Sequence, residues 1–148
     1  MTRVLGVDLG ARRIGLALSD PRRVLAVPLT VLERTGDPGA DHAAILRAAV
    51  EHEAALVVVG LPLTLLSGRA GPAAQATLAE VAELAHRAAG LDPPVPVETY
   101  DERLTTVTAQ RSLATAGVPA RNRRALVDKV AAAVILQSWL DGQPRSRS

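Results

Sequence analysis

Five consecutive residues, Leu56-Val57-Val58-Val59-Gly60, carry no polar group. The run is too short for a helix and lacks the alternation of a half-exposed strand. It reads as a strand covered on both faces, as a central parallel strand is. A chain containing it must supply a sheet and a layer of helices on each side. At 148 residues, 48% of them hydrophobic, it is long enough to do so as one domain. We expect that domain over residues 1–141 and a polar, disordered tail at 142–148.

The rest of the chain fits this demand. Arg3 to Leu9 reads as a strand with Val4, Gly6 and Asp8 on one face. After the turn Gly10-Ala11-Arg12-Arg13, Ile14 to Ser19 alternates as a second strand, pairing back as a hairpin. Asp20-Pro21-Arg22-Arg23 is a further turn, and Val24 to Leu32 a third strand, placed at an edge by Pro28. Asp41 is positioned to cap a helix running to about Ala54, with Ile45, Leu46, Ala49 and Val50 inward. Pro72 opens an alanine-rich helix ending near Gly90. Leu78, Val81 and Ala85 lie on its apolar side, with Glu80, Glu83 and Arg87 toward water. Val95 to Tyr100 is the fifth strand. Helices from Thr105 or Thr106 to Gly117 and from about Arg124 to Leu140 close the order βββαβαβαα. This is an α/β arrangement: a mixed five-stranded sheet, three antiparallel strands then alternating helix and strand, with helices on its faces. Right-handed crossovers put the fourth strand beside the first and the fifth beyond it.

Composition narrows the chemistry. Tyr100 and Trp139 are the only aromatic residues, which argues against recognition by stacking bases on an aromatic platform. The chain has no cysteine, so disulfides, thiolate zinc sites and a cysteine nucleophile are excluded; this suits a reducing compartment. No signal-peptide pattern or membrane-spanning run is present. His42, His52 and His86 lack mutual metal spacing and read as surface residues. Net charge is only +2, but residues 101–148 carry 8 basic and 4 acidic groups against 9 and 11 in residues 1–100.

Three carboxylates stand out. Asp8 interrupts an apolar strand, which is unfavourable unless the charge is paired or binds a metal; a solvent-facing strand end is the alternative. In open α/β sheets, sites form at the C-terminal ends of parallel strands. Asp8 and Asp101 both lie at such ends. Asp128 sits one turn before Ala131 and Ala132, on a stripe of small residues that lets the last helix approach the sheet; a surface pair with Arg124 is the alternative. Three acids in one cleft need a cation, and hard ions such as Mg²⁺ or Mn²⁺ take oxygen ligands. Two such ions promote phosphodiester cleavage. Arg12, Arg13, Arg103, Arg123 and Arg124 fall in turns beside these acids, and Arg69 in a glycine-rich loop, placed to hold a nucleic-acid backbone.

The segments Gly6-Val7-Asp8-Leu9-Gly10, Arg13-Ile14-Gly15-Leu16-Ala17, Val59-Gly60-Leu61-Pro62, Asp101-Glu102-Arg103-Leu104-Thr105-Thr106 and Val127-Asp128 with Ala131-Ala132-Ala133 closely resemble the YqgF (RuvX) family over nearly the whole chain. The resemblance implies a ribonuclease H-like fold and a cytoplasmic protein. It implies a hydrolase, described both as a Holliday junction resolvase and as the nuclease that processes the 5′ end of the small-subunit rRNA precursor. By position, Asp8, Asp101 and Asp128 are the metal-binding acids, with Glu102 as an adjacent candidate for the second. RuvC-type enzymes carry an acid at the end of the fourth strand, where this chain has Gly60-Leu61-Pro62. The partner is then nucleic acid, an rRNA precursor or branched DNA, bound by a monomer or homodimer. Two other readings stay open: a non-catalytic RNA or ribosome-assembly module, and a nucleotide-binding protein of the actin-like superfamily.

Overall fold

A computed structural model of the chain describes residues 2–61, 71–101 and 120–144, the side chains of Ala73 and of residues 120–129 excepted. The first three strands are β1 (Arg3–Leu9), β2 (Arg13–Ser19) and β3 (Ala26–Glu33). They are followed by α1 (Pro38–Glu51), β4 (Ala54–Leu61), α2 (Pro72–Ala89), β5 (Val97–Asp101) and α3 (Ala120–Asp141). The expected helix from Thr105 or Thr106 to Gly117 and the end of the tail lie outside the described residues.

The strands form one sheet of order β3-β2-β1-β4-β5. β1 pairs antiparallel with β2 and parallel with β4, and β4 pairs parallel with β5, as the crossover rule requires. β3 is an edge strand. Pro28 sits opposite Ala17 where the β2–β3 register slips by one residue, a place where a missing N–H costs the ladder nothing.

The apolar β4 run is explained by two cores. Val57 and Val59 face Ile45, Leu46 and Ala49 of α1 and Val81, Leu84 and Ala88 of α2. Leu56 and Val58 face the other way, with Val4 of β1 and Ala17 of β2, against Ala132, Leu136, Trp139 and Leu140 of α3. α3 is fastened at both edges of the sheet. Gln137 bridges to β3, its Oε1 accepting from the Ala26 N–H and its Nε2 donating to the Val24 carbonyl, both at 2.9 Å. The Tyr100 hydroxyl of β5 meets Ser138 Oγ at 2.8 Å.

Gly6 lets α3 settle onto β1. A Cβ at this position would stand 2.7 Å from Leu136 Cβ and 3.1 Å from the Ala132 carbonyl oxygen, too close for either backbone to stay where it is. The close approach expected from the alanine stripe is present: Ala131 and Ala132 are fully buried.

Several expectations are corrected. Asp37, not Asp41, caps α1: its carboxylate accepts from the Gly39 N–H at 3.0 Å and Pro38 follows it, the arrangement favoured at helix starts. Asp41 lies inside the first turn, buried, accepting from the Thr35 N–H at 3.0 Å and Thr35 Oγ1 at 2.9 Å. Val50 and Leu78 face solvent, because the buried faces of α1 and α2 are each rotated away from them. His42 and Glu80 do not face water.

Candidate active site

Asp8 is the penultimate residue of β1 and only 7% exposed. It shares the α3 face of the sheet with Val4 and Gly6. Its partner on β2 is Gly15. Continuing the Val7–Val59 register by one residue brings Gly60 of β4 alongside. Residues directly opposite in a sheet share a face, so neither lateral neighbour brings a side chain to the face that Asp8 occupies.

Asp101 ends β5 opposite Leu61 of β4. It reaches the same C-terminal edge as Asp8, but strand alternation separates the two. Tyr100, one residue earlier, is on the α3 face through its bond to Ser138, so the period of two assigns Asp101 to the α1/α2 face. Asp128 lies on α3 one helical turn before Ala132, whose carbonyl borders Gly6; its side chain is outside the described residues. So are Glu102, Arg69 and Arg103, and the side chains of Arg123 and Arg124. Among the described residues, no three His, Asp or Glu side chains converge as a metal site.

The two arginines of the β1–β2 turn differ. Arg12 is exposed. Arg13 donates from Nε to Glu33 Oε1 at 2.9 Å, with 25% and 73% of the two side chains exposed. Such a surface pair adds little stability.

A cluster missed in the sequence lies behind this turn. Arg34, just past β3, donates from its two terminal nitrogens to Glu80 Oε2 at 2.8 Å and Oε1 at 2.9 Å. His42 of α1, fully buried, lies with Nε2 3.0 Å from Glu80 Oε2; a carboxylate only accepts, so Nε2 is the donor. His42 was expected at the surface and Glu80 in water. Both are drawn inward because α1 and α2 pack side by side on one sheet face.

The fork from Arg34 holds the Glu80 carboxyl below its usual range, and the Thr35 backbone N–H does the same for Asp41. At the other end of β3, the Leu25 and Val24 N–H groups lower Asp20. Carboxylates depressed in the folded state resist protons that the unfolded chain accepts. Their contribution is present above the ordinary carboxylate range, about pH 4, and is lost as pH falls through the folded values. The melting temperature is therefore expected to hold above about pH 5 and to drop on further acidification. Melts of Glu80→Gln should show a shallower acid limb; an identical limb would contradict this assignment.

Comparison with solved structures establishes the fold. T. thermophilus RuvC in complex with a Holliday junction substrate superposes with a TM-score of 0.57 at 19% identity, covering 95% of this chain and 96% of that one. The yeast mitochondrial Holliday junction resolvase Ydc2 superposes with a TM-score of 0.58 at 11% identity, covering 94% and 78%. The fold is ribonuclease H-like. A model of the RuvX family, described as Holliday junction resolvase, matches residues 2–142. A relative from Mycobacterium sp. (strain KMS), named "Putative pre-16S rRNA nuclease", is 49% identical over 139 residues, 94% of this chain and 79% of its own length. The chain belongs to the RuvX family, and with it to the nucleases, hydrolases of phosphodiester bonds in nucleic acid. Among the described residues, no helix is long and apolar enough to cross a membrane.

Proposed function

We propose that the chain is a divalent-metal-dependent endonuclease of the cytoplasm that trims the 5′ end of pre-16S rRNA. The observation that carries the reading is Asp8: a buried carboxylate at the C-terminal edge of the central strand, with glycine on both lateral neighbours. The donor set suits a hard cation, because it is all oxygen and the chain has no cysteine. Asp8 and Asp128 would hold the metal from strand and helix. Asp101 and Glu102 compete for the third place. We favour Glu102, because alternation along β5 assigns Asp101 to the opposite face from Asp8.

Mg²⁺ or Mn²⁺ bound there would lower the pKa of a water and stabilise the leaving oxygen. The chain's own part is to fix the carboxylates before substrate arrives and to hold the backbone. Arg12, exposed in the turn after Asp8, is suited to grip a phosphate next to the scissile one. Arg13 shares its guanidinium with Glu33 and binds phosphate at the cost of that pair. Arg69, Arg103, Arg123 and Arg124 would extend the same basic track.

The rRNA precursor is favoured by the name of the relative at 49% identity. Branched DNA is the second reading, favoured by the family description and the RuvC likeness; a two-fold junction would then call for a homodimer. The test is a side-by-side assay of a 5′-extended 16S precursor RNA and a four-way DNA junction, with Mg²⁺, Mn²⁺ or EDTA. We expect metal-dependent trimming of the RNA, faster than any cut in the junction. Salt-dependent binding of RNA without cleavage, surviving loss of Asp8 and Asp128, would instead establish a non-catalytic module.

A further inference from the structure

Behind the turn that follows Asp8, one side chain, just past β3, ties α2 to that turn. Arg34 uses all three guanidinium nitrogens. Two go to Glu80 of α2, at 2.8 and 2.9 Å. The third, Nε, donates to the carbonyl oxygen of Gly10 at 2.7 Å. The Arg34 backbone N–H also donates to the Arg12 carbonyl at 2.9 Å. Gly10 is in turn bound to Asp8, its N–H donating to the Asp8 carbonyl at 3.1 Å. Only glycine fits there, since a Cβ would stand 2.6 Å from the Arg13 carbonyl oxygen.

We propose that Arg34, locked by Glu80 and His42, is a positioning residue that fixes the Gly10–Arg12 turn and so the metal-binding geometry of Asp8. The inference rests on the reading of Asp8 as a metal ligand. Two features separate it from ordinary stapling of β3. A planar fork bonded to Glu80 leaves Nε one direction in which to point, so the carboxylate aims the bond to Gly10. The lock is also anchored inside the core: His42 is fully buried, and its Nε2 bonds Glu80 Oε2 at 3.0 Å, the oxygen that also accepts from one terminal nitrogen of Arg34. Lysine supplies a charge but no fork, and so would keep the ion pair without aiming anything at Gly10.

The experiment measures Mn²⁺ binding by titration calorimetry without nucleic acid, and amide hydrogen exchange of Gly10, Ala11 and Arg12 by NMR. The proteins are wild type, Arg34→Met, Arg34→Lys, Glu80→Gln and, in parallel, Asp8→Asn. Loss of a partner behind a metal ligand weakens metal binding by about 10- to 100-fold. We expect a loss in that range for Arg34→Met and Arg34→Lys alike, a smaller one for Glu80→Gln, and faster exchange confined to the turn. In turnover, kcat should fall with KM nearly unchanged. Wild-type Mn²⁺ affinity and turn exchange in Arg34→Met, or full rescue by Arg34→Lys, would overturn the proposal. Should Arg34→Met fail to fold, Glu80→Gln decides by the same two readouts. If Asp8→Asn itself binds Mn²⁺ as wild type does, the metal-site reading fails. If Asp8→Asn loses binding and the Arg34 variants keep it, only the positioning role fails.

Discussion

Asp8→Asn is expected to lower metal-dependent cleavage by roughly 10³-fold or more, a loss of about 4 kcal/mol of transition-state stabilisation. Asparagine matches aspartate in shape and keeps one carbonyl oxygen, so packing on β1 is preserved. It loses the negative charge that supplies most of the attraction for a hard divalent cation, leaving only a weaker neutral oxygen ligand. The fold should therefore survive, with a melting temperature within a few degrees of wild type in EDTA. The two proteins should part when metal is added. Ligands that bind only the native state raise its stability by RT ln(1 + [L]/Kd), about 2.7 kcal/mol at a hundredfold excess over Kd. Wild type should show that rise with Mn²⁺, and Asp8→Asn should not. Retention of wild-type cleavage by the variant would remove Asp8 from the site.

Gly6→Ala is expected to cost more activity than its stability loss explains. The added carbon would meet Leu136 Cβ at 2.7 Å and the Ala132 carbonyl at 3.1 Å. Neither atom is the far end of a flexible side chain, so α3 must lift from the sheet. Overpacking of this kind costs about 1–3 kcal/mol, which lowers the melting temperature by several degrees. Asp128 rides on the same helix one turn from Ala132, and misplacement of a catalytic group by about 1 Å costs roughly 10²-fold in rate. Leu136→Ala is the control. It removes buried volume under α3 and costs about 2–5 kcal/mol, but it leaves the Gly6 seat intact. At a temperature where both variants are folded, Gly6→Ala should be much the slower. Equal rates would show that the seating of α3 on Gly6 does not set the site.

The sheet was legible because its signals are local. Alternation along Arg3–Leu9 and Ile14–Ser19, Pro28 on an edge and the apolar β4 run each mark a strand from its own residues, and the crossover rule then orders them. The start of α1 was misread where two aspartates compete. Pro38 after Asp37 was the better signal, while Asp41 is taken up by Thr35 across the turn. The face of Asp101 was not legible: its place at a strand end put it in one cleft with Asp8. The bond from Tyr100 to Ser138 is what assigns the faces, since Tyr100 and Asp101 are consecutive in one strand and must diverge.

The Arg34–Glu80–His42 cluster was not legible. Its members are separated by 46 and 38 residues. Arg34 and Glu80 each have the local pattern of a solvated charge. The spacing of His42, Ile45, Leu46 and Ala49 does put His42 on the buried face of α1. Its meeting with Glu80 and Arg34 arises only because α1 and α2 pack side by side on one sheet face, which no periodicity within either helix carries.

Hydrolysis by water at a metal held on Asp8 is tested most directly by the chemistry of the product ends. In-line attack by water on phosphorus, with the metal stabilising the departing 3′ oxygen, forms the new P–O bond as the P–O3′ bond breaks. A precursor RNA cut in this way should carry 5′-phosphate and 3′-hydroxyl ends, and EDTA should abolish their formation. Products ending in cyclic phosphate, or cleavage that persists in EDTA, would contradict the account.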